Sequence, residues 1–312
     1  RIGIGLGLVF TLLIAAAGYF IYVPKPTLPD AAVAALTLEH DGLTRTYTVF
    51  VPTNLQPGAS VLFALHPSRS SAEQMRRISG HALERIAEQN NLIVVYPDGF
   101  EGHFNDCRLA ASYSARTRNI DDVGFIQGII AQLVTEQQVN PERVFALGYS
   151  NGGQMALRLA LEAPETVKGV ASFAANLPAA DNMGCNIAAK PARFIGFIEG
   201  TADPINPYEG GQASLFGMGN RGSVLSAPDS AKWFADRLNL NAMPSTTLEP
   251  IGDLTAQQDD WQSSDGHVRL VTITGGGHTV PQAATSVPRL LGATYQSDAV
   301  MEALWAMFAK AQ

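Results

Sequence analysis

The sequence has few cysteines and no concentration of positive charge. Its 312 residues include two cysteines, and 21 Lys and Arg stand against 28 Asp and Glu, for a formal net charge of −7. There is no CxxC pair and no Cys/His cluster, which argues against a metal site. There is also no Lys/Arg cluster of the kind that nucleic-acid binders carry. Hydrophobic residues make up 46% of the chain, which is enough for a substantial core.

Charge is also absent from residues 2–23. At the rise of an α-helix this apolar run spans roughly 33 Å, enough to cross the core of a bilayer. Two interpretations stay open: a retained membrane anchor, or a signal peptide that is cleaved near the alanines at 15–17. The run continues past these alanines, which favours the anchor. We therefore expect membrane association through residues 1–23 and an exported protein facing the periplasm or exterior, or a secreted one if the segment is cleaved.

A Pro-rich linker at residues 24–34 is expected to join this segment to one domain at residues 35–312. Strand-like and helix-like patterns alternate along the domain. Residues 60–65 and 92–96 are continuous apolar runs, as in strands buried on both faces, whereas residues 71–89 have a helical period. The alternation predicts an α/β fold with a mostly parallel central sheet flanked by helices on both faces. In such sheets, ligands bind beyond the carboxyl ends of the strands.

The strongest local signal is the segment GYSNGG at residues 148–153, between an apolar run that ends at Leu147 and a helical pattern. This is the strand–turn–helix context of a nucleophile elbow, in which a strained turn lifts a serine hydroxyl above the sheet. The residues two before and two after the serine must be small, because strand and helix approach closely there. Gly148 and Gly152 meet this requirement, so Ser150 is the predicted nucleophile.

A serine nucleophile needs a base and an acid that orients the base. In this topology the acid and then the His follow the serine along the chain. His278 lies in a glycine-rich loop directly after an apolar run that ends at Ile273, whereas His267 precedes that run and fits a surface loop. Asp203 follows the apolar run 194–198. We therefore predict His278 as the base and Asp203 as the acid.

Other downstream carboxylates are weaker candidates for the acid. Glu199 is closer to the strand, where its side chain would reach less far. The remaining ones lie in a polar stretch that is typical of a solvated loop, namely Asp253, Asp259, Asp260 and Asp265.

The oxyanion formed during acyl transfer needs two backbone N–H donors. One is expected from Asn151, the residue after the nucleophile. The other is expected from the loop after the apolar run that ends at Leu65. Pro67 has no N–H, so Ser68 is the predicted donor and Arg69 is the reserve.

Together with several further motifs, these segments resemble the esterases grouped as polyhydroxybutyrate depolymerase-like, feruloyl and acetylxylan esterases, the carbohydrate esterase family 1 circle of the α/β-hydrolases. The resemblance covers residues 36–310 and implies a triad of Ser150, Asp203 and His278, an ester substrate, and export as in many members. The matching motifs lie at residues 65–66, 72–75, 96–99, 104–108, 121–125, 148–153, 200–204 and 275–279.

The chain departs from this family around the substrate pocket. The family has His-Gly where this chain has His66 followed by Pro, and Trp at two positions occupied here by Phe104 and Val280. Loss of a Trp removes a large stacking surface, which weighs against binding of a feruloyl ring or a sugar. The sequence carries no appended substrate-binding module and no Ser/Thr-rich linker, so small or oligomeric esters are favoured over a solid polyester. The candidates for the pocket wall are His66, Arg69, Phe104, Tyr149 and Val280.

If the body of the protein is exported, Cys107 and Cys185 lie in an oxidising compartment and can form a disulfide. In a reducing compartment they would be two buried thiols.

These inferences predict a serine carboxylic ester hydrolase that works through an acyl-enzyme on hydroxyalkanoate, acetyl or feruloyl-type esters. Its expected partners are that small or oligomeric substrate and, through the N-terminal segment, a membrane. No cofactor, metal or nucleic acid is expected. Two alternatives stay open: a peptidase or acyltransferase on the same fold, and a non-catalytic binding protein that retains the fold.

Overall fold

The computed structural model describes residues 18–22, 33–285 and 287–310. The predicted anchor or signal segment and the predicted linker fall outside this part of the chain, apart from residues 18–22 and 33–34. Across the three described ranges, no helix combines the length and the apolar character that a bilayer crossing requires.

Thirteen strands are present in the described chain, and eleven of them form one sheet. In chain order they are β1 (Val33–His40), β2 (Leu43–Phe50), β3 (Ser60–Leu65), β4 (Leu92–Pro97), β5 (Val144–Tyr149), β6 (Gly169–Phe173), β7 (Phe194–Gly200), β8 (Gly211–Gln212), β9 (Ser223–Val224), β10 (Asn241–Ala242), β11 (Thr246–Ile251), β12 (Leu254–Ser263) and β13 (Gly266–Thr274).

The helices are α1 (Ala72–Ile78), α2 (Ala82–Gln89), α3 (Ser114–Thr117), α4 (Asp122–Gln137), α5 (Asn151–Glu162), α6 (Ala227–Arg237) and α7 (Ala299–Ala309). A single 3₁₀ turn in the described chain covers Arg289–Leu291.

The centre of the sheet is parallel and buried. Its strands lie in the order β4, β3, β5, β6, β7, β13, and every neighbouring pair in this series is parallel. Every residue of β3 to β7 is buried, because α4, α5 and α6 pack on one face and α1, α2 and α7 on the other. The predicted α/β fold, with a mostly parallel sheet between two layers of helices, is confirmed.

Both margins of the sheet are antiparallel. At one margin β1 and β2 form a hairpin that pairs with β4 through β2. Its turn consists of Asp41 and Gly42, which both have positive φ, as a tight two-residue hairpin turn requires. At the other margin β12 pairs with β13, β10 and β11. The parallel strands at the centre therefore all end at one edge of the sheet, and the site forms there.

The predicted single helix at residues 71–89 is instead two helices. The chain breaks after Ile78, where Gly80 and His81 have φ of 59° and 54°. A right-handed helix cannot continue through two such residues. A side chain at position 80 would also lie 2.4 Å from the amide oxygen of Gln282, so the break is fixed by close packing as well.

The polar stretch predicted as a solvated loop is a β-hairpin, and the prediction was wrong there. Asp259 and Asp260 lie in β12, and Asp260 accepts hydrogen bonds from Arg269 in β13. His267 is likewise a buried residue of β13, with Nε2 2.8 Å from Asp260 Oδ1. A strand at an antiparallel margin needs apolar residues on one face only, so its composition resembles that of a loop.

Cys107 and Cys185 form a disulfide that closes a long loop of the chain, since 78 positions separate them. The two segments also pair through their backbones. Gly184 N–H donates to Cys107 O over 2.7 Å, and Leu109 N–H donates to Asn182 O over 2.9 Å. The bridge therefore reinforces a contact between the loop before α3 and the segment between β6 and β7.

Removal of the disulfide by the double substitution Cys107→Ser, Cys185→Ser is expected to lower the free energy of unfolding by about 4 kcal/mol, because closure of so long a loop restricts the unfolded chain. Urea unfolding of wild type with and without a reductant measures the effect. The double variant is the control, since a reductant should leave its midpoint unchanged. An equal midpoint for reduced and oxidised wild type would contradict the prediction.

Candidate active site

Ser150 occupies a strained turn between β5 and α5. Its φ is 55° and its ψ −113°, a region that an L-residue adopts only under constraint. Its N–H donates to Phe173 O in β6 over 2.8 Å. A methyl group added at Gly148 would lie 2.1 Å from Gly152 O, and one added at Gly152 would lie 2.1 Å from Leu65 O. The two glycines are therefore required by backbone contacts between β5, α5 and β3.

Asp203 and His278 are in contact. His278 Nδ1 lies 2.7 Å from Asp203 Oδ2, and the Asp203 side chain is 0% exposed. Its other oxygen accepts the N–H groups of Ile205 and Asn206 over 2.7 and 2.8 Å. With an ionised Asp203, the imidazole carries its proton on Nδ1, which leaves Nε2 as the basic nitrogen.

These two residues meet because β7 and β13 are parallel neighbours whose following loops bind each other. Thr201 N–H donates to Ile273 O over 3.0 Å, and Ala202 N–H donates to Gly276 O over 2.9 Å. A side chain at Gly200 would lie 2.3 Å from Gly276 O. The glycine-rich loop thus allows the close approach that brings the imidazole over the sheet edge.

Two neighbouring residues, Tyr149 and Glu199, help to hold the segments that carry His278 and Asp203. Tyr149 OH donates to the carbonyl of His278 over 2.6 Å, and burial together with the charge of Asp203 raises the pKa of Tyr149. Glu199 is buried, and its oxygens accept Ala175 N–H and Asn206 Nδ2–H over 2.9 and 3.0 Å. Burial and the charge of Asp203 raise the pKa of Glu199 well above its ordinary value. Glu199 therefore braces the loop of Asp203 and makes no bond to the imidazole.

The backbone N–H groups of Asn151 and Ser68 donate to no acceptor within the described residues. Asn151 is the first residue of α5, so its N–H lies at the positive end of the helix dipole and has no acceptor within the helix. The reserve donor Arg69 is engaged, since its N–H donates to Gly102 O over 2.8 Å. Of the two donors predicted in the loop after β3, Ser68 is therefore the one whose N–H is available.

The side chain of Asn151 ties the elbow to the loop before α3. Its Oδ1 accepts Phe104 N–H over 2.8 Å and its Nδ2 donates to Asp106 Oδ2 over 2.7 Å. Arg108 and Tyr113 bind the same buried carboxylate. Burial alone would raise the pKa of Asp106, but the charge and bonds of Arg108 hold it below the ordinary value. Cys107, which forms the disulfide with Cys185, lies between Asp106 and Arg108 in the sequence.

Ser150 and His278 line one cavity of about 400 Å³, although no hydrogen bond joins their side chains within the described residues. Of the five pocket candidates, Arg69 and Tyr149 line the cavity. His66, Phe104 and Val280 are each 0% exposed and do not line it. Phe104 packs on His66 with ring centres 4.6 Å apart, and Val280 belongs to the core on the α7 face. The family positions occupied by these three residues are therefore core positions in this chain.

Most of the wall was not foreseen from the sequence. It comes from irregular segments that have no periodicity to reveal which side chains face inward. Of the charged wall residues, Arg221 was missed in this way, whereas Arg108 belongs to the motif at residues 104–108. The other wall residues not predicted are Pro67, Ile78, Gln154, Ala174, Ala175, Ile205, Asn206, Ala213, Leu215, Val287, Pro288 and Leu291.

His66 braces the loop that carries Ser68. Its Nδ1 lies 2.7 Å from Pro67 O, and its Nε2 accepts Gly99 N–H over 2.8 Å. The ring must therefore be neutral, with its proton on Nδ1, because a proton on Nε2 would face another N–H. Burial lowers the pKa of His66 to about 4.

This depressed pKa predicts a pH dependence of folding. The unfolded chain binds a proton at His66 below about pH 6.5 and the folded chain only near pH 4, so stability falls as pH decreases between these values, by up to about 3 kcal/mol. Urea unfolding at pH 7 and pH 4.5 measures the loss. His66→Gln should lose less stability over this interval than wild type, and equal losses in the two proteins would contradict the assignment.

Comparisons with known proteins point in the same direction as the geometry. A family model described as phospholipase/carboxylesterase matches residues 103–215. A protein named as an esterase, NocK of Nocardia uniformis subsp. tsuyamanensis, is 28% identical over 301 residues, which cover 88% of this chain and 82% of that protein. Feruloyl esterase B of Piromyces equi is 27% identical over 225 residues, covering 70% of this chain but 39% of that protein. The chain thus spans well under half the length of the latter relative.

Among solved structures, an acetyl xylan esterase from Aspergillus awamori superimposes with a TM-score of 0.57 at 15% identity, over 80% of this chain and 95% of that one. At this identity the likeness concerns the fold. The expected resemblance to feruloyl and acetylxylan esterases is confirmed by the sequence relatives and by this shared fold. The chain thus has the α/β-hydrolase fold and is similar in sequence to proteins named as esterases.

Proposed function

We propose that the chain is an exported serine carboxylic ester hydrolase in which Ser150, His278 and Asp203 act as a triad. The observation that carries this proposal is the contact of 2.7 Å between His278 Nδ1 and Asp203 Oδ2, on the cavity that Ser150 also lines. A serine at a strained elbow, a neutral imidazole and a buried carboxylate are the three groups that acyl transfer to a hydroxyl requires.

In the proposed reaction, Ser150 Oγ forms a bond to the ester carbonyl carbon while His278 Nε2 takes the hydroxyl proton. The N–H groups of Asn151 and Ser68 stabilise the negative charge that develops on the carbonyl oxygen. Collapse of the tetrahedral intermediate breaks the bond to the alcohol, which receives the proton from His278. Asp203 stabilises the imidazolium and keeps its own charge. Water then releases the acid from Ser150, with His278 again as the base.

The proposed substrates are small or oligomeric esters of hydroxyalkanoate, acetyl or feruloyl type. The volume of the cavity, about 400 Å³, lies at the lower end of typical ligand pockets. Export is supported by the disulfide, because such bonds persist in oxidising compartments, and by the uncharged run at residues 2–23.

Ser150→Ala is expected to abolish covalent labelling by a fluorophosphonate probe and to lower kcat for a para-nitrophenyl ester roughly 10³-fold or more, since the nucleophile is lost. Gel fluorescence and steady-state kinetics measure the two effects. The control is Ser264→Ala, which removes an exposed hydroxyl at the turn between β12 and β13. Equal labelling of wild type and Ser150→Ala would overturn the proposal.

The identity of the acid is tested by two matched substitutions. Asp203→Asn is expected to reduce kcat roughly 10²- to 10⁴-fold, because an amide stabilises neither the correct tautomer nor the imidazolium. Glu199→Gln alters a carboxyl that does not touch His278. The fold reduction of kcat that it causes should be at least ten times smaller than the reduction caused by Asp203→Asn. Stopped-assay rates at one pH, with circular dichroism as a check of folding, measure both. A larger reduction of kcat by Glu199→Gln than by Asp203→Asn would identify Glu199 as the acid.

A further inference from the structure

The charged side chains on the described wall of the cavity are all arginines. Arg69, Arg108 and Arg221 line it, and none of its other lining residues within the described chain is acidic. The chain as a whole carries a formal net charge of −7, so the cavity has the opposite sign to the molecule. A cleft lined by one sign of charge concentrates ligands of the other sign.

Arg108 already has a counter-charge. Its Nε donates to Asp106 Oδ1 over 3.1 Å and its Nη2 donates to Asp106 Oδ2 over 2.6 Å. Asn151 and Tyr113 donate to the same carboxylate. Asp106 is therefore shared among these buried groups, and it acts on Arg221 through its charge without forming an ion pair with it.

Arg221 and Arg69 have no such partner. Within the described residues, neither guanidinium has a carboxylate oxygen within 4.0 Å, so neither forms an ion pair. Arg221 is half-buried, with its guanidinium 5.3 Å from the centre of the Tyr113 ring. Burial and the positive charges of Arg108 and Arg69 lower the pKa of Arg221, and they outweigh the opposite effects of Tyr113 and Asp106. Arg221 thus contacts the Tyr113 ring but has no carboxylate partner of its own among the described residues.

The position of Arg69 links this charge to the reacting atoms. Arg69 directly follows Ser68, the proposed oxyanion donor, and its backbone is held at φ 56° by the bond from its N–H to Gly102 O. Its backbone is therefore fixed at the oxyanion loop, and the residue lines the same cavity as Ser150. An anion bound by these guanidinium groups would lie close to the ester carbonyl.

The remaining wall is apolar and includes Ile78, Ala213, Leu215, Val287 and Leu291. An apolar wall beside unpaired guanidinium groups suits a ligand with a short hydrocarbon chain and one carboxylate. Guanidinium binds carboxylate through paired, charge-assisted hydrogen bonds, which is the geometry that arginine provides and lysine does not.

We propose that the cavity selects esters that carry a carboxylate on a short apolar chain, with the carboxylate bound by Arg221 and Arg69 and the ester carbonyl at Ser150. This inference rests on the proposed function, whose substrate class it narrows. The carboxylate can belong to the acyl part or to the alcohol part of the ester, and the two sources are separated by the choice of substrates.

The first arm of the test compares mono(para-nitrophenyl) adipate with para-nitrophenyl hexanoate, which have six-carbon acyl chains with and without a carboxylate. The second arm compares para-carboxyphenyl butyrate with phenyl butyrate, in which the charge is on the alcohol part. The rates are corrected for hydrolysis without enzyme. In at least one arm, wild type is expected to have a higher kcat/KM for the anionic ester, and this advantage should decrease as ionic strength rises.

In that arm, Arg221→Gln is expected to lower the ratio of anionic to neutral kcat/KM roughly tenfold to a hundredfold, mainly through KM, because one charge-assisted interaction is lost. Arg69→Gln should lower the same ratio, and this exposed side chain makes no contact whose loss would impair folding. The matched control is Arg237→Gln on α6, which removes the same charge from a guanidinium that stacks on Trp233 away from the cavity. Both rates should be retained in this control.

Binding without turnover gives an independent readout. Calorimetry of Ser150→Ala with monoethyl adipate and with ethyl hexanoate should show tighter binding of the anion, and this preference should be lost in Ser150→Ala, Arg221→Gln. No preference for the anion in either readout, or a preference that both arginine substitutions leave intact, overturns the inference. If the neutral esters are hydrolysed through Ser150 in that case, the proposed ester hydrolysis is retained and the selectivity for a carboxylate is rejected. If no ester is hydrolysed, the proposed function fails, and the calorimetry still decides the anion site.

Discussion

The close approach of three backbone segments at the nucleophile elbow is the constraint on which the rest of the site depends. β5, α5 and β3 meet so tightly that a methyl group at Gly148 or Gly152 would lie 2.1 Å from a carbonyl oxygen. This contact holds Ser150 at positive φ and directs the first N–H of α5 toward the edge of the sheet. Every other group of the site is placed relative to that fixed point by a loop that follows a parallel strand.

A second layer of structure keeps the elbow in place. Asn151 binds the loop before α3 through its side chain, and that loop is in turn held by the buried carboxylates Asp106 and Asp122. Asp122 accepts Asn105 N–H over 2.6 Å and a hydrogen bond from Arg45 over 2.6 Å. Burial raises the pKa of Asp122 above its ordinary value, against the charge of Arg45. Buried polar groups of this kind are stable only as complete networks, which explains why so many strong donors converge on two carboxylates.

The sequence was informative where function demands a fixed local geometry. The elbow at Ser150, Asp203 after β7 and His278 after β13 all follow from strand ends and chain order, and the structure places them at one edge of the sheet. The walls of the cavity could not be inferred in this way. Arg221 belongs to an irregular segment, and whether its side chain faces inward depends on tertiary packing. The hairpin of β12 was mistaken for a loop because one face of this strand is solvated. Many of its residues are therefore polar, and its composition resembles that of a loop.

The arginine-lined wall has a consequence for the end of the catalytic cycle. Hydrolysis of any ester generates a carboxylic acid that ionises at neutral pH, so the product would carry a charge that a neutral substrate lacks. In a cavity whose described wall contains Arg69 and Arg221 and no acidic residue, the guanidinium groups attract that anion. Departure of the acid would then be slowed, and accumulated product would compete with fresh substrate for the same guanidinium groups.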